Sequence, residues 1–195
     1  MTPFLIGITG RIASGKSVAA GYISEAYHFH LIDADTVGHQ ILEEPLVIKD
    51  IAHHFPSAFN VSSNSIRRDI LSDIVFHDTK LLHVLQSITW TAILAKIHQE
   101  IEQYPRSVIE AIGLFQSSLY KQCDCTVYID CTSENIQKRL QLRGVSDEKM
   151  QKILHSQKDH ASLVSLADIV IPNNTTLSDF MDRIDTAMKK VLSDY

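Results

Sequence analysis

The chain lacks the features that mark several large classes of protein. Basic residues are outnumbered by acidic ones, 18 against 23, and the formal net charge is -5. A general nucleic-acid binder needs Lys and Arg clustered on one face, so this balance argues against nucleic acid as a partner. No apolar run approaches the roughly 18 residues of a membrane span, and the N-terminus has no long apolar core of a secretion signal. We therefore expect a cytoplasmic protein without a membrane partner.

Cysteine is scarce as well. The sequence contains three, Cys123, Cys125 and Cys131, an odd number in a chain without an export signal. A disulfide framework is therefore not expected. The C-x-C spacing of Cys123 and Cys125 suggests a metal site together with a histidine, but the paired second half of a zinc site is missing. We favour structural thiols that flank a strand.

What the sequence does contain is an alternation of short apolar runs and long helical stretches. With 195 residues, 45% of them hydrophobic, the chain can bury a core in one domain. The alternation predicts an α/β fold with a parallel sheet and helices on both faces. The predicted strands are Phe4–Ile8, Phe29–Ile32, Ser107–Ile109, Thr126–Ile129 and Ile169–Ile171. The longest gap, from about residue 35 to 105, has helical apolar spacing and is a candidate substrate-binding insert.

The most specific short motif is Gly10–Ser17, GRIASGKS, which fits the phosphate-loop pattern G-x-x-x-x-G-K-[ST] at every fixed position. Glycines let backbone N–H groups wrap around a phosphate, and the following helix adds its positive dipole end. Lys16 would then reach the β- and γ-phosphates, and the Ser17 hydroxyl would be a ligand of Mg²⁺. The alternative is a chance glycine turn. An apolar strand before the motif and a helical pattern after it favour the phosphate loop.

The motif predicts a set of nucleotide contacts and a helix face. The residues expected to contact the nucleotide are Gly10, Arg11, Ile12, Ala13, Ser14, Gly15, Lys16, Ser17 and Val18. The buried face expected for the following helix consists of Val18, Tyr22, Ile23 and Ala26.

Carboxylates at strand ends are candidates for the chemistry, because ligands bind outside the carboxyl ends of parallel strands. Asp33 and Asp35 end the second predicted strand, and residues two apart in extended geometry face the same side. One would take a proton from a substrate hydroxyl while the other helps to hold Mg²⁺ through water. The alternative is that Asp35 caps the next helix. Glu110 ends the third predicted strand and serves either the outer shell of the metal or another cap.

Arginines complete the set of charged candidates. Arg139 and Arg143 are four residues apart on a predicted helix, so they share one face, and a turn at Gly144–Asp147 follows. A lid helix of a phosphotransferase carries such arginines over the transferring phosphoryl group. The alternative is an ordinary solvated helix face. Arg68, within the insert, is a candidate for holding an anionic part of the second substrate.

The chain resembles the dephospho-coenzyme A kinases over most of its length. The segments that carry the resemblance are GITGRIASGKS, LIDAD, IRRDILSDIVF, IEAIGLFQSSLYK, VYIDCTSENIQKRLQLR, ILHSQ and LADIVIPNN. The resemblance implies a P-loop kinase that passes the γ-phosphate of ATP to the ribose 3′-hydroxyl of dephospho-coenzyme A. It also implies a five-stranded parallel core at about 1–35, 105–135 and 165–195, a helical substrate region at about 36–104, and a lid at about 136–164.

The resemblance further implies roles for individual residues. Asp35 matches the base for the 3′-hydroxyl, with Asp33 beside it in the same motif. Apart from the resemblance, the place of Glu110 at a strand end makes it a further candidate substrate residue. By position, Arg68 falls on an arginine of the substrate region, Arg139 and Arg143 on the lid arginines, Gln157 on a glutamine after the lid, and Asp168 and Asn173 on a stretch near the nucleotide. The implied cofactors are ATP and Mg²⁺.

The sequence also departs from the family pattern. Arg11 and Ala13 replace loop glycines, Trp90-Thr91 replaces His-Pro, Gln116 replaces a glutamate, and Leu163 replaces a basic residue. Three functions stay open at this point: a dephospho-coenzyme A kinase, a P-loop kinase of another small hydroxyl-bearing metabolite or nucleoside, and a nucleotide-binding homologue without activity. The sequence does not specify the oligomeric state.

Overall fold

The computed structural model describes residues 3–157 and 160–193. In chain order the elements are β1 (Phe4–Gly10), α1 (Lys16–Tyr27), β2 (His30–Asp33), α2 (Ala34–Ile41), α3 (Pro45–His54), β3 (Phe59–Asn60), β4 (Ser65–Ile66), α4 (Arg68–His77), α5 (Thr79–Gln103), β5 (Arg106–Glu110), β6 (Cys125–Asp130), α6 (Ser133–Leu142), α7 (Asp147–Ser156), α8 (His160–Val164), β7 (Ile169–Pro172) and α9 (Leu177–Ser193). The chain forms two compact units, one of residues 1–32 with 104–195 and one of residues 33–103.

Five strands form the main sheet, in the order β2-β5-β1-β6-β7. The central strand β1 pairs in parallel with β5 on one side and β6 on the other, and β6 pairs in parallel with β7. All seven residues of β1 are buried, which explains why its sequence is a continuous apolar run rather than an alternating one. The five predicted strands are therefore confirmed; four are longer than predicted by one or two residues, and β2 is shifted by one residue.

The core on one face of the sheet forms where α1 and α9 pack against the strands. Ala19, Ala20 and Ile23 of α1 are buried there, as are Phe180 and Ile184 of α9. Small alanines allow α1 to approach the sheet closely, and each large aliphatic side chain removed from water contributes about 1.5–3 kcal/mol. The predicted face of α1 was partly wrong. Val18 is 44% exposed and Ala26 is also exposed. The buried face of α1 runs through Ala19 and Ile23, one residue after the predicted positions Val18 and Tyr22.

Residues 33–103 form a helical unit in which α5 packs against α2, α3 and α4. The helical prediction for this segment is confirmed, and α5 runs without interruption past Trp90 and Thr91. The short antiparallel pair β3 and β4 was not predicted, since two-residue strands are too short to show a period. Among the described residues, no helix combines the length and the apolar character that crossing a bilayer requires.

Hydrogen bonds of Asp168 connect the start of β7 to the start of β6. Its Oδ2 accepts hydrogen bonds from the backbone N–H and the hydroxyl of Thr126, both at 2.7 Å, and its own N–H donates to the Thr126 hydroxyl at 3.1 Å. These contacts lie at the amino ends of parallel strands, whereas the Gly10–Ser17 loop follows the carboxyl end of β1. The position near a nucleotide that the resemblance implied for Asp168 therefore does not match the geometry.

We expect Asp168→Ala to lower the free energy of unfolding by about 1–2 kcal/mol, because the two hydrogen bonds that Thr126 donates to the carboxylate are lost. Nucleotide affinity should stay within twofold of wild type. Urea unfolding and calorimetric titration with ATP measure the two effects, and Asp182→Ala on α9 is the exposed control. A large loss of ATP affinity with an unchanged free energy of unfolding would show that Asp168 contributes to the nucleotide site.

Candidate active site

The Gly10–Ser17 loop turns sharply between β1 and α1, and its glycines are required there. Gly10 and Gly15 have φ values of 148° and 109°, in a region that side chains rarely adopt. A Cβ at Gly10 would lie 2.5 Å from the carbonyl oxygen of Ile129, and one at Gly15 would overlap the side-chain amide of Asn173. The helix α1 starts directly after Gly15, without a side-chain cap and without an acidic residue in its first turn. The beginning of α1, with its positive dipole end, therefore forms an anion-binding site.

Lys16 lies at the start of α1 with its side chain 8% exposed. Its ammonium donates to the carbonyl oxygen of Arg11 at 3.2 Å, so the loop backbone holds the charge in place. An ammonium at this place has the charge to bind a phosphate chain. The role of Lys16 at the β- and γ-phosphates stays a prediction.

Ser17 and Glu110 come together at the carboxyl end of the sheet. The Ser17 hydroxyl donates to Oε1 of Glu110 at 2.8 Å, and Glu110 is the residue of β5 that pairs with Ile8 of β1. Hydroxyl and carboxylate oxygens are the ligands that Mg²⁺ prefers, together with substrate phosphates. The residues present therefore fit Mg²⁺ bound by few protein groups. No cluster of three His, Cys, Asp or Glu side chains that would form a metal cage exists within the described residues.

Arg139 binds the carbonyl side of the loop. One guanidinium nitrogen donates to the carbonyl oxygens of Ala13 and Ser14 at 3.1 and 3.0 Å, and the other donates to the backbone and side-chain oxygens of Asn173. Asn173 in turn donates to the Ser14 carbonyl at 2.7 Å. Because their polar atoms are engaged with the loop backbone, Arg139 and Asn173 support the loop. Direct contact of either with nucleotide stays a prediction.

Arg11 joins the loop to the beginning of α6, a contact that sequence reasoning missed. The Arg11 guanidinium donates to the hydroxyl of Ser133 at 3.0 Å and to the carbonyl oxygen of Cys131, and the side chain is 8% exposed. A glycine at this position, which the resemblance leads one to expect, would make neither contact. Ser133 carries no sequence signal, since only the three-dimensional course of β6 brings it to the loop.

Arg143 differs from Arg139 although the two were predicted to act alike. Arg143 is the C-cap of α6, its side chain is exposed, and its guanidinium has no hydrogen-bond partner within the described part of the chain. The predicted turn follows at Gly144, which has a φ of 72°. Of the two arginines, Arg143 is therefore the one with a guanidinium available to a ligand.

The acidic pair of the second unit is arranged differently from the prediction. Asp33 is the N-cap of α2, and its carboxylate accepts from the backbone N–H groups of Asp35 and Thr36 and from the Thr36 hydroxyl. Asp35 lies in the first helical turn, so the extended geometry assumed for the pair was wrong, as was the alternative of Asp35 as the cap. The Asp35 carboxylate is exposed and has no hydrogen-bond partner among residues 3–157 and 160–193.

Arg68 begins α4 and pairs with Glu43 at 2.8 Å, and the same nitrogen donates to the carbonyl oxygen of His39 at 3.2 Å. Both side chains of the ion pair are exposed, so the pair contributes little to stability. An anionic ligand can therefore replace Glu43 at small cost.

The cysteines are structural thiols, as expected. All three are free, Cys125 and Cys131 are buried, and Cys123 is half-buried. Burial raises the pKa of the Cys123 thiol to about 12 and that of Cys125 to about 11. Thiols of this kind are poor nucleophiles and poor metal ligands at neutral pH.

The parallel sheet, the glycine loop on the central strand and the Lys16 and Ser17 side chains define the class of this protein as a P-loop kinase. The family model for dephospho-CoA kinase matches residues 4–179. A dephospho-CoA kinase of Borreliella burgdorferi is 32% identical over 198 residues, which cover 98% of this chain and 96% of that protein. The chain belongs to the dephospho-CoA kinase family.

Solved structures agree with this assignment. A dephospho-CoA kinase from Campylobacter jejuni is 25% identical, with a TM-score of 0.63 and coverage of 96% of both chains. The crystal structure of TT1252 from Thermus thermophilus has a TM-score of 0.85 and covers 100% of this chain and 98% of that chain. At 23% identity, this second likeness supports the fold alone.

We expect Arg139→Ala to weaken ATP binding about tenfold and to lower the free energy of unfolding by about 1–3 kcal/mol, because two loop carbonyls lose a charged donor. Arg139→Lys should recover little of either loss, since an ammonium lacks the planar fork that spans the loop and Asn173. Calorimetry and urea unfolding measure the effects, with the exposed Lys138→Ala as control. Full binding by Arg139→Ala would show that the loop keeps its shape unaided.

We expect Glu110→Gln to raise the Mg²⁺ concentration for half-maximal activity by roughly 10-fold or more, because a carboxylate beside the Ser17 hydroxyl is replaced by a neutral amide. Activity measured across a Mg²⁺ titration at fixed ATP tests this. Glu102→Gln, an exposed carboxylate near the end of α5, is the control. Identical Mg²⁺ curves for wild type and Glu110→Gln would remove Glu110 from the metal site.

Proposed function

We propose that this protein transfers the γ-phosphoryl group of ATP to the ribose 3′-hydroxyl of dephospho-coenzyme A, giving coenzyme A and ADP. The observation that carries the proposal is the phosphate loop at the carboxyl end of β1, where Lys16 is held over the loop and Ser17 contacts Glu110. The family adds the acceptor, because the named relatives are dephospho-CoA kinases. The substrate is a small molecule, and the reaction belongs in the cytoplasm, where ATP is available.

Backbone N–H groups around Gly15 and in the first turn of α1 bind the β- and γ-phosphates. Lys16 neutralises the negative charge that the phosphates bring together. Ser17 and Glu110 would hold Mg²⁺, with Asp33 reaching it through water, and the ion would supply neutralisation of phosphate charge. Phosphoryl transfer needs little covalent chemistry from the protein, so this positioning and charge neutralisation account for most of the catalysis.

Asp35 accepts the proton of the 3′-hydroxyl in this proposal. Its carboxylate is exposed and without a partner among the described residues, whereas Asp33 is engaged in capping α2. The first helical turn fixes the backbone of Asp35, and its exposed carboxylate is open to a substrate hydroxyl. Arg68 holds an anionic group of the acceptor in exchange for Glu43. Arg143 neutralises charge on the transferring phosphoryl group.

The proposal is tested with the purified protein, ATP, Mg²⁺ and a panel of acceptors: dephospho-coenzyme A, pantothenate, adenosine and common nucleoside monophosphates. We expect phosphorylated product from dephospho-coenzyme A alone. Product from another acceptor would mark a kinase of a different metabolite, and ATP binding without any product would mark an inactive homologue.

We expect Asp35→Asn to abolish coenzyme A formation while ATP affinity and unfolding free energy stay unchanged, because the amide cannot accept the hydroxyl proton. Asp50→Asn on α3 is a matched exposed control. Near wild-type turnover of Asp35→Asn would make the base assignment wrong.

We expect Arg143→Ala to lower kcat by roughly 10²-fold or more, with a smaller change in the KM for ATP, if the guanidinium binds the transition state more tightly than the bound substrate. Steady-state kinetics separate the two constants. Arg183→Ala, an exposed arginine of α9, serves as control, and an unchanged kcat would leave Arg143 as a surface residue.

A further inference from the structure

Gln157 connects the end of α7 to the phosphate loop. It is half-buried, directly follows α7 in the chain, and its Oε1 accepts a hydrogen bond from the backbone N–H of Ile12 at 3.2 Å. The resemblance matches Gln157 to a family glutamine but gives it no role. The contact is notable because a side chain from a distant helix satisfies a backbone donor of the loop that holds the phosphates.

The Ile12 N–H, which the motif placed among the predicted nucleotide contacts, is directed at Gln157 instead. The beginning of α1, after Gly15, has no side-chain cap and offers a phosphate the positive end of the helix. Ile12 lies before that point, and its N–H is already directed at Gln157. A bound triphosphate therefore leaves the bond between Ile12 and Gln157 in place.

Apolar contacts support the same attachment. Ala13 of the loop is buried in a cluster with Ile136 and Leu140 of α6 and Met150 of α7, and Ile12 packs against this cluster. The helix α7 therefore lies on the side chains of the loop. Apolar packing alone does not fix one orientation, whereas a hydrogen bond to a single backbone group does.

The two helices α6 and α7 are attached to the loop in different ways. Arg11 and Arg139 bind α6 to the loop at both of its ends through charged hydrogen bonds. Between the helices lies Gly144, with a φ of 72° that favours glycine and open space where a Cβ would be. Beyond this turn, Gln157 supplies the directional contact that fixes the far end of α7.

We propose that Gln157 is a positioning residue, which holds α7 on the phosphate loop during phosphoryl transfer and thereby keeps water from the γ-phosphate. This inference rests on the proposed function. Loss of the bond leaves α7 attached by apolar contacts that allow it to lift from the loop. Water then competes with the acceptor hydroxyl, and ATP is hydrolysed without transfer.

The test compares ADP formation with coenzyme A formation in the same reaction, and ADP formation from ATP alone. We expect Gln157→Ala to lower kcat for transfer about tenfold, to raise hydrolysis without acceptor several-fold, and to change the KM for ATP less than threefold. A glutamate oxygen can accept the same N–H, so Gln157→Glu should restore the wild-type ratio of ADP to coenzyme A. Gln151→Ala, an exposed glutamine of α7, is the matched control and should leave the ratio unchanged.

The outcomes separate this inference from the proposed function. If wild type forms no coenzyme A, the proposed function fails. The role of Gln157 is then decided by comparing the rates at which Gln157→Ala and wild type hydrolyse ATP without acceptor. If wild type forms coenzyme A while Gln157→Ala keeps its ratio and its hydrolysis rate, the inference is overturned. Equal loss of transfer and hydrolysis, with no recovery in Gln157→Glu, would also overturn it, because a disturbed loop would explain both.

Discussion

The site depends on how closely the loop backbone approaches its neighbours at the carboxyl end of β1. At Gly10 and Gly15 a single added carbon would meet the Ile129 carbonyl or the Asn173 amide. That closeness lets the carbonyl side of the loop be held by Arg139 and Asn173, on the strand side of the phosphate-binding helix start. Fixed dipoles of this kind need little reorganisation when the ligand arrives.

Two side chains distinguish this loop from one built mainly of glycine. Ala13 has a φ of 58°, a conformation that disfavours a side chain by about 1 kcal/mol. Its methyl group is buried among Cys131, Ile136 and Leu140, which offsets part of that strain. Arg11 is anchored at the start of α6. The loop is therefore packed more firmly against the neighbouring helices, and its backbone has fewer accessible conformations than a loop built mainly of glycine.

Local patterns in the sequence predicted the features that local physics determines. The five strands, the phosphate loop, the long α5 and the turn at Gly144 follow from apolar period, glycine placement and spacing. Asp33 and Asp35 were misjudged because a helix begins between them, and a strand end cannot be located within one residue from its pattern. The different surroundings of Arg139 and Arg143 were also out of reach, since helical spacing puts both on one face but does not indicate which one meets the loop.

The reactivity of the buried cysteines reports how often the packed sheet opens. Cys125 and Cys131 lie within the packed sheet region, and the raised pKa of Cys123 and Cys125 leaves little thiolate at neutral pH. Cys125 and Cys131 therefore react with an alkylating reagent mainly in molecules whose sheet has opened. The rate of covalent labelling thus follows the population of opened molecules, and the stabilisation that a bound nucleotide confers becomes readable without any added reporter group.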